Sequence, residues 1–225
     1  MKKVTLSFDN GPTPDVTPLV LSALEERDLH AYFCVVGKQL IGDEGNPALC
    51  REALRLGHVL VNHSLTHETP LGEQPTTAHA RSEIRDMHEL MQDLIGDWGE
   101  HWFRPFGREG ALGTHVFSKA ALDEFRSLNY SVLMWNSVPR DWIDIDGWMI
   151  RALEDISAQR HTLLVLHDIA SGAMKHLPAF LDRLLDQDIK ITLELPDTCV
   201  PIRNGLANSE RLTGLVNAAC SSVSQ

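Results

Sequence analysis

Residues 162–166, Thr-Leu-Leu-Val-Leu, offer water nothing after the first side chain and run straight into His167-Asp168. A segment this short and this apolar reads as a strand buried on both faces, which calls for a parallel sheet covered by helices. The rest of the chain keeps that pattern. Residues 4–8, 30–36, 58–62, 102–104, 131–135 and 189–193 read as further strands, several closed by Gly or Pro. Between them, apolar residues three and four apart mark helices: Val16, Leu19, Val20 and Leu24; the segment 47–56 closed by Gly57; Ile84, Met87, Met91, Leu94 and Ile95. Later ones carry Phe117, Ala121, Phe125 and Leu128 behind a Thr114 cap, then Met149, Ala152, Leu153 and Ile156, then Leu177, Phe180, Leu181, Leu184 and Leu185. Strand and helix in alternation predict an α/β chain of parallel β-α units, in a barrel or an open sheet.

At 225 residues and 43% hydrophobic the chain can bury one large core, so a single domain over 1–225 is expected. From about residue 201 the sequence turns polar, with a weak helix expected over 210–218 and a loose Ser-rich end. A net charge of −11 without a Lys/Arg cluster excludes a nucleic-acid footprint and suits a neutral or cationic partner. No run approaches membrane-spanning length. Cys34, Cys50, Cys199 and Cys220 lack C-x-x-C spacing and demand no disulfide, as in a reducing compartment. The start has two lysines but no apolar stretch of signal-peptide length, so a cytoplasmic protein is expected.

In parallel α/β architectures ligands bind past the C-terminal ends of the strands. Asp9 and Asn10, His63 and His67, Arg104, Asp141, and His167 with Asp168 all come just after a predicted strand. His63 and His67, four apart in His-Ser-Leu-Thr-His, can share a metal ion; alone the pattern fits a capped turn equally well. Asp9 can act as general base on metal-bound water, or simply close a turn. Arg104 can pair with Asp9, and the Pro105-Phe106-Gly107 turn after it can aim an N–H at a developing oxyanion. Asp141-Trp142 offers an orienting carboxylate beside an apolar wall. His167 can protonate a leaving amine, with Leu166 lining a small pocket. Eight other histidines, at 30, 58, 79, 88, 101, 115, 161 and 176, carry no assigned role.

Together these stretches resemble the motif series of the polysaccharide deacetylase family, carbohydrate esterase family 4. The series is Ser-Phe-Asp9-Asn10-Gly-Pro, His63-Ser-Leu-Thr-His67, Arg104-Pro-Phe-Gly, Asp141-Trp142 and Leu-Val-Leu166-His167-Asp168. Phe33-Cys-Val-Val-Gly37 and Gly57-His58 extend the likeness over roughly residues 3 to 195. The resemblance implies a distorted (β/α) barrel of seven or eight units and metal-dependent removal of acetyl groups from N-acetylated sugars. It implies a divalent ion, zinc first, on His63, His67 and the position of Asn10. It makes Asp9 the base, Arg104 its tether, Asp141 the residue orienting that arginine, and His167 the acid. Trp142, Leu166, Pro105 and Phe106 fall to the substrate pocket.

Three departures stand out. Asn10 replaces the family's second aspartate, exchanging a charged ligand for a neutral amide oxygen, so weaker metal binding and a more strongly Lewis-acidic ion are expected. The arginine motif is one residue short of Arg-Pro-Pro-Tyr-Gly. Val138 stands where Asp-x-x-Asp-Trp has its first aspartate. Two other functions stay open: hydrolysis of a small non-sugar amide or cyclic imide, and a non-catalytic sugar-binding or regulatory module.

Overall fold

A computed structural model describes residues 1–218. The chain divides into two compact units, one built from residues 1–35, 39–60 and 135–199, the other from 36–38, 61–134 and the segment beginning at 200.

The first unit is organised on the strand Lys3–Gly11, which pairs in parallel with Tyr32–Val35, His161–His167 and Lys190–Ile191. Val4, Leu6 and Phe8 are fully buried, as are Leu163, Leu164 and Leu166. This is the two-sided burial that residues 162–166 predict. The first strand runs past the expected end at residue 8 because neighbours on both sides still pair with it. Asp9 lies opposite Cys34 and His167, and Gly11 opposite Val35. The register slips between Asp9 and Gly11, leaving Asn10 as the extra residue of a bulge at φ 74°. Such bulges re-aim a side chain, and asparagine tolerates left-handed backbone better than most residues.

The helix Thr17–Glu25 buries Thr17, Val20, Leu21, Ala23 and Leu24. Leu19, expected on that face, is 61% exposed, because the stripe actually used is the 17, 20, 21, 24 row. Helix Asn46–Arg55 ends as expected at Gly57, whose φ of 83° few other residues adopt. Helices Trp148–Ala158 and Leu177–Asp186 complete this unit. The strand Val59–Asn62 starts here, with the Val59 N–H donating to the Ala31 carbonyl at 3.0 Å.

That strand ends in the second unit, where Asn62 lies opposite Phe103 of the short strand Trp102–Phe103. Ser131–Val132 pairs in parallel on the other side, and Val132 pairs antiparallel with Ile202. The expected long helix after residue 76 is present but not uniform: α-helical Thr77–Ala80, a π-helical turn Arg81–Asp86, then α-helical Met87–Ile95. The next helix, Lys119–Ser127, is capped by Ser118 rather than Thr114. The Ser118 hydroxyl accepts the Ala121 N–H at 3.1 Å, while Phe117 belongs to a strand.

The polar tail departs most from expectation. Ile202–Arg203 and Leu206–Ala207 form a hairpin about Asn204-Gly205, both at positive φ (48° and 74°), as a two-residue Asn-Gly turn demands. No helix occupies 210–218. Val216–Asn217 instead pairs in parallel with Phe117–Ser118. Cys220 and the Ser-rich end lie outside the described residues. Among the described residues no helix is long and apolar enough to cross a membrane.

Candidate active site

In the first unit the pairing of parallel strands brings the predicted acid and base together. Asp9 and His167 are direct Cα partners across the two central strands, 5% and 9% exposed. Asp141, fully buried in the loop before helix Trp148–Ala158, grips His167 twice. One carboxylate oxygen accepts the ring Nδ1–H at 2.8 Å and the other accepts the backbone N–H at 2.9 Å. The resemblance gives Asp141 to Arg104; within the first unit its carboxylate holds His167. The Nδ1 bond leaves Nε2 as the nitrogen that takes and gives a proton. Burial disfavours the imidazolium, but the Asp141 hydrogen bond and the charges of Asp141, Asp9 and Asp168 outweigh it and raise the His167 pKa. Trp142 meets the His167 ring edge-on at 4.6 Å between centroids. Leu166, one residue earlier, points the other way and is wholly buried in the core.

Two groups at this strand end lack the hydrogen bonds that burial demands. The amide oxygen of Asn10 is buried with no hydrogen-bond partner. A neutral carbonyl in that state suits a cation. Asp168, to which no role was assigned, is 1% exposed. One oxygen accepts the Thr17 hydroxyl at 2.6 Å and the other has no partner. Burial, with the charge of Asp9 adding to it, raises the Asp168 carboxyl to about 7 against the Thr17 hydrogen bond and His167. A cavity beneath is lined by Asp168, Cys34, Cys50, Phe8, Phe33 and Leu60 among others. Burial and the charge of Asp168 push the Cys50 thiol up to about 12, so it is no nucleophile near neutral pH.

The second unit holds the histidines. His63 is 1% exposed, His67 is half-buried, and their rings lie 4.8 Å apart between centroids. The His63 Nδ1–H donates to the Arg104 carbonyl at 2.8 Å, which makes Nε2 the nitrogen with the lone pair. Phe106 stacks on His67 at 4.0 Å and stands edge-on to His63 at 6.3 Å. The residue assigned to the substrate pocket thus walls the histidine pair. Pro105 is buried beside Arg104, itself fully buried. The donor chemistry here fits a divalent ion: two adjacent imidazoles, one fixed in the ligating tautomer. Among the described residues no three His, Cys, Asp or Glu side chains group as a metal cluster.

Sequence reasoning passed over Glu83. It is 3% exposed in the π-helical turn, and its carboxylate accepts the Thr66 N–H at 2.9 Å and the Thr66 hydroxyl at 2.8 Å, inside the His-Ser-Leu-Thr-His segment. A carboxylate next to Ile84, on the buried stripe of an amphipathic helix, is the signal that would have found it.

A family model described as polysaccharide deacetylase matches residues 1–132. The peptidoglycan-N-acetylglucosamine deacetylase PgdA of Listeria monocytogenes is 25% identical over 186 residues, 83% of this chain but 36% of its own length. The chain thus spans little more than a third of that relative. A chitooligosaccharide deacetylase of Rhizobium leguminosarum bv. trifolii is 25% identical over 169 residues, covering 74% of this chain and 72% of that one. Among solved structures, a wild-type pseudoenzyme of carbohydrate esterase family 4 from Bacillus anthracis superposes with a TM-score of 0.69 at 18% identity, covering 84% of this chain and 63% of that one. The fold is the distorted (β/α) barrel that the resemblance implies, where strand–helix alternation alone leaves barrel and open sheet both possible.

Proposed function

The chain belongs to the polysaccharide deacetylase family, and on that premise we propose that it is a metal-dependent hydrolase removing acetyl groups from N-acetylated sugars of the chito-oligosaccharide type. The observation that carries this reading is Asp9 beside His167 on adjacent strands, with Asp141 fixing the histidine's tautomer. A base and an acid set side by side at one strand end are what amide hydrolysis needs.

His63 and His67, with the Asn10 amide oxygen where the family pattern has an aspartate, would hold a divalent ion, zinc first, and the ion would supply Lewis acidity for attack on the acetyl carbonyl. The remaining steps belong to the chain. The Asp9 carboxylate takes a proton from water as the oxygen bonds to the acetyl carbon. When the C–N bond breaks, its electron pair stays on nitrogen, which takes the proton held at His167 Nε2. Asp141 keeps Nδ1 protonated throughout, and the Trp142 ring excludes water from one side of the imidazole. In the family pattern Arg104 tethers Asp9.

A second reading, a sugar-binding module without catalysis, draws support from Asn10. An amide in place of a carboxylate weakens the hold on a cation. Acetate release from N-acetylated chito-oligosaccharides separates the readings. Release that is stopped by chelator, restored by zinc and absent in Asp9→Asn supports the hydrolase. Turnover of a cyclic imide without acetate moves the substrate class to small amides. Sugar binding with neither activity leaves the module.

A further inference from the structure

We infer that Glu83, outside every recognised motif, is a positioning residue that sets how His63 and His67 present their nitrogens. The inference rests on the metal role proposed for that pair. The segment joining them is not one the backbone adopts unaided: Ser64 and His67 both sit at positive φ, 73° and 57°. Histidine reaches that region more readily than most residues, but serine does so at a cost, and such backbone is kept where the surroundings impose it.

The surroundings are specific. The Asn62 side-chain oxygen accepts the Ser64 N–H at 3.0 Å, and the Ser64 hydroxyl accepts the His67 N–H at 3.1 Å. From outside, the Gly37 and Lys38 N–H groups donate to the Ser64 and Leu65 carbonyls at 3.0 and 2.8 Å. Each of these is a single bond. Glu83 applies two bonds to one residue, Thr66, using both oxygens of a buried carboxylate on its N–H and its hydroxyl. Charge-assisted bonds of this kind are roughly twice as strong as neutral ones, and the bidentate grip fixes orientation as well as distance.

The π-helical turn Arg81–Asp86 explains how Glu83 comes to face the segment. An i→i+5 turn takes in an extra residue and rotates the side chains of that turn around the helix axis, and such turns recur where a helix serves a functional site. Thr66 lies one residue before His67. Tilting its peptide changes the φ of the next residue and swings the second imidazole, whereas His63 stays anchored through the Arg104 carbonyl. Glu83 therefore controls the relative placement of the two rings.

The test uses the full chain with zinc and Co(II) as probes. Glu83→Gln keeps the shape of the side chain but can accept only one of the two Thr66 bonds. Zinc affinity, read by competition with a chromophoric chelator, is expected to fall about tenfold, as for other groups that orient a ligand. The visible Co(II) band is expected to change shape, and kcat for acetate release to fall with little change in KM. Thr66→Val, which leaves Glu83 in place, is expected to act in the same direction and serves if Glu83→Gln does not fold. A lower melting temperature with wild-type zinc affinity and Co(II) spectrum in the folded variant would reduce Glu83 to a structural contact and overturn the inference. Wild-type protein that takes up neither ion and releases no acetate overturns the deacetylase reading and this inference with it.

Discussion

Asp141 holds His167 at two points, with one oxygen on the ring Nδ1–H at 2.8 Å and the other on the backbone N–H at 2.9 Å. An asparagine there has one acceptor for two donors. Asp141→Asn is therefore expected to lower kcat by about 10²- to 10⁴-fold, the usual worth of a positioned acid. The pH profile carries the sharper signal. An acid works while protonated, so activity falls as pH rises through the His167 pKa, which lies above the ordinary 6.5. Removing the hydrogen bond and the charge moves that limb to lower pH. A limb that stays put in Asp141→Asn assigns proton donation to another group.

Asn10→Asp restores the carboxylate of the family pattern at a position whose amide oxygen is buried without a hydrogen-bond partner. Zinc affinity is expected to rise about tenfold. Equal affinity in the two proteins would place residue 10 outside the metal's ligands.

Gly11→Ala addresses a packing constraint in the same strand. A Cβ at residue 11 would overlap the carboxyl of Asp168, which Thr17 and burial hold in place. Forcing extra volume into such a site costs about 1–3 kcal/mol. Urea unfolding measures this directly, and an unchanged midpoint would mean that Asp168 swings aside without penalty.

His58 predicts acid sensitivity away from the chemistry. Its Nδ1 accepts the Ala31 N–H at 3.2 Å and its ring is 4% exposed. Burial, with the neighbouring His30 charge adding to it, lowers its pKa from 6.5 to about 4. Between those values the unfolded chain binds a proton that the folded chain refuses, so stability falls as pH drops through that window. The loss amounts to about 3 kcal/mol at full effect. His58→Gln, whose side-chain oxygen can still accept from Ala31, is expected to flatten the dependence measured by unfolding at pH 7 and pH 4. An equal slope in the variant would give the acid sensitivity to other groups.

The sequence by itself determined the α/β class and most strands and helices of the first 200 residues to within a few positions, and it offered candidates for the chemistry, with Glu83 and Asp168 given no role among them. These arise from local causes: apolar period, Gly and Pro at element ends, and residue types that hold protons or metals. In the tail the same local logic misleads, because Asn204-Gly205 spells a hairpin turn that the polar composition hides. Only the tertiary structure decided the rest. The turn written in Asp9-Asn10-Gly11 became a bulge because strands on both sides still had bonds to give. The partner of Asp141, 26 residues away along the chain, was set by which loop packs over the strand His161–His167. Glu83 acquired its grip on Thr66 because a π-turn, which no periodicity announces, rotated it toward a segment 17 residues earlier. Contacts between distant residues depend on how packed elements are offset and turned against each other, and the order of side chains along a chain does not encode that offset locally.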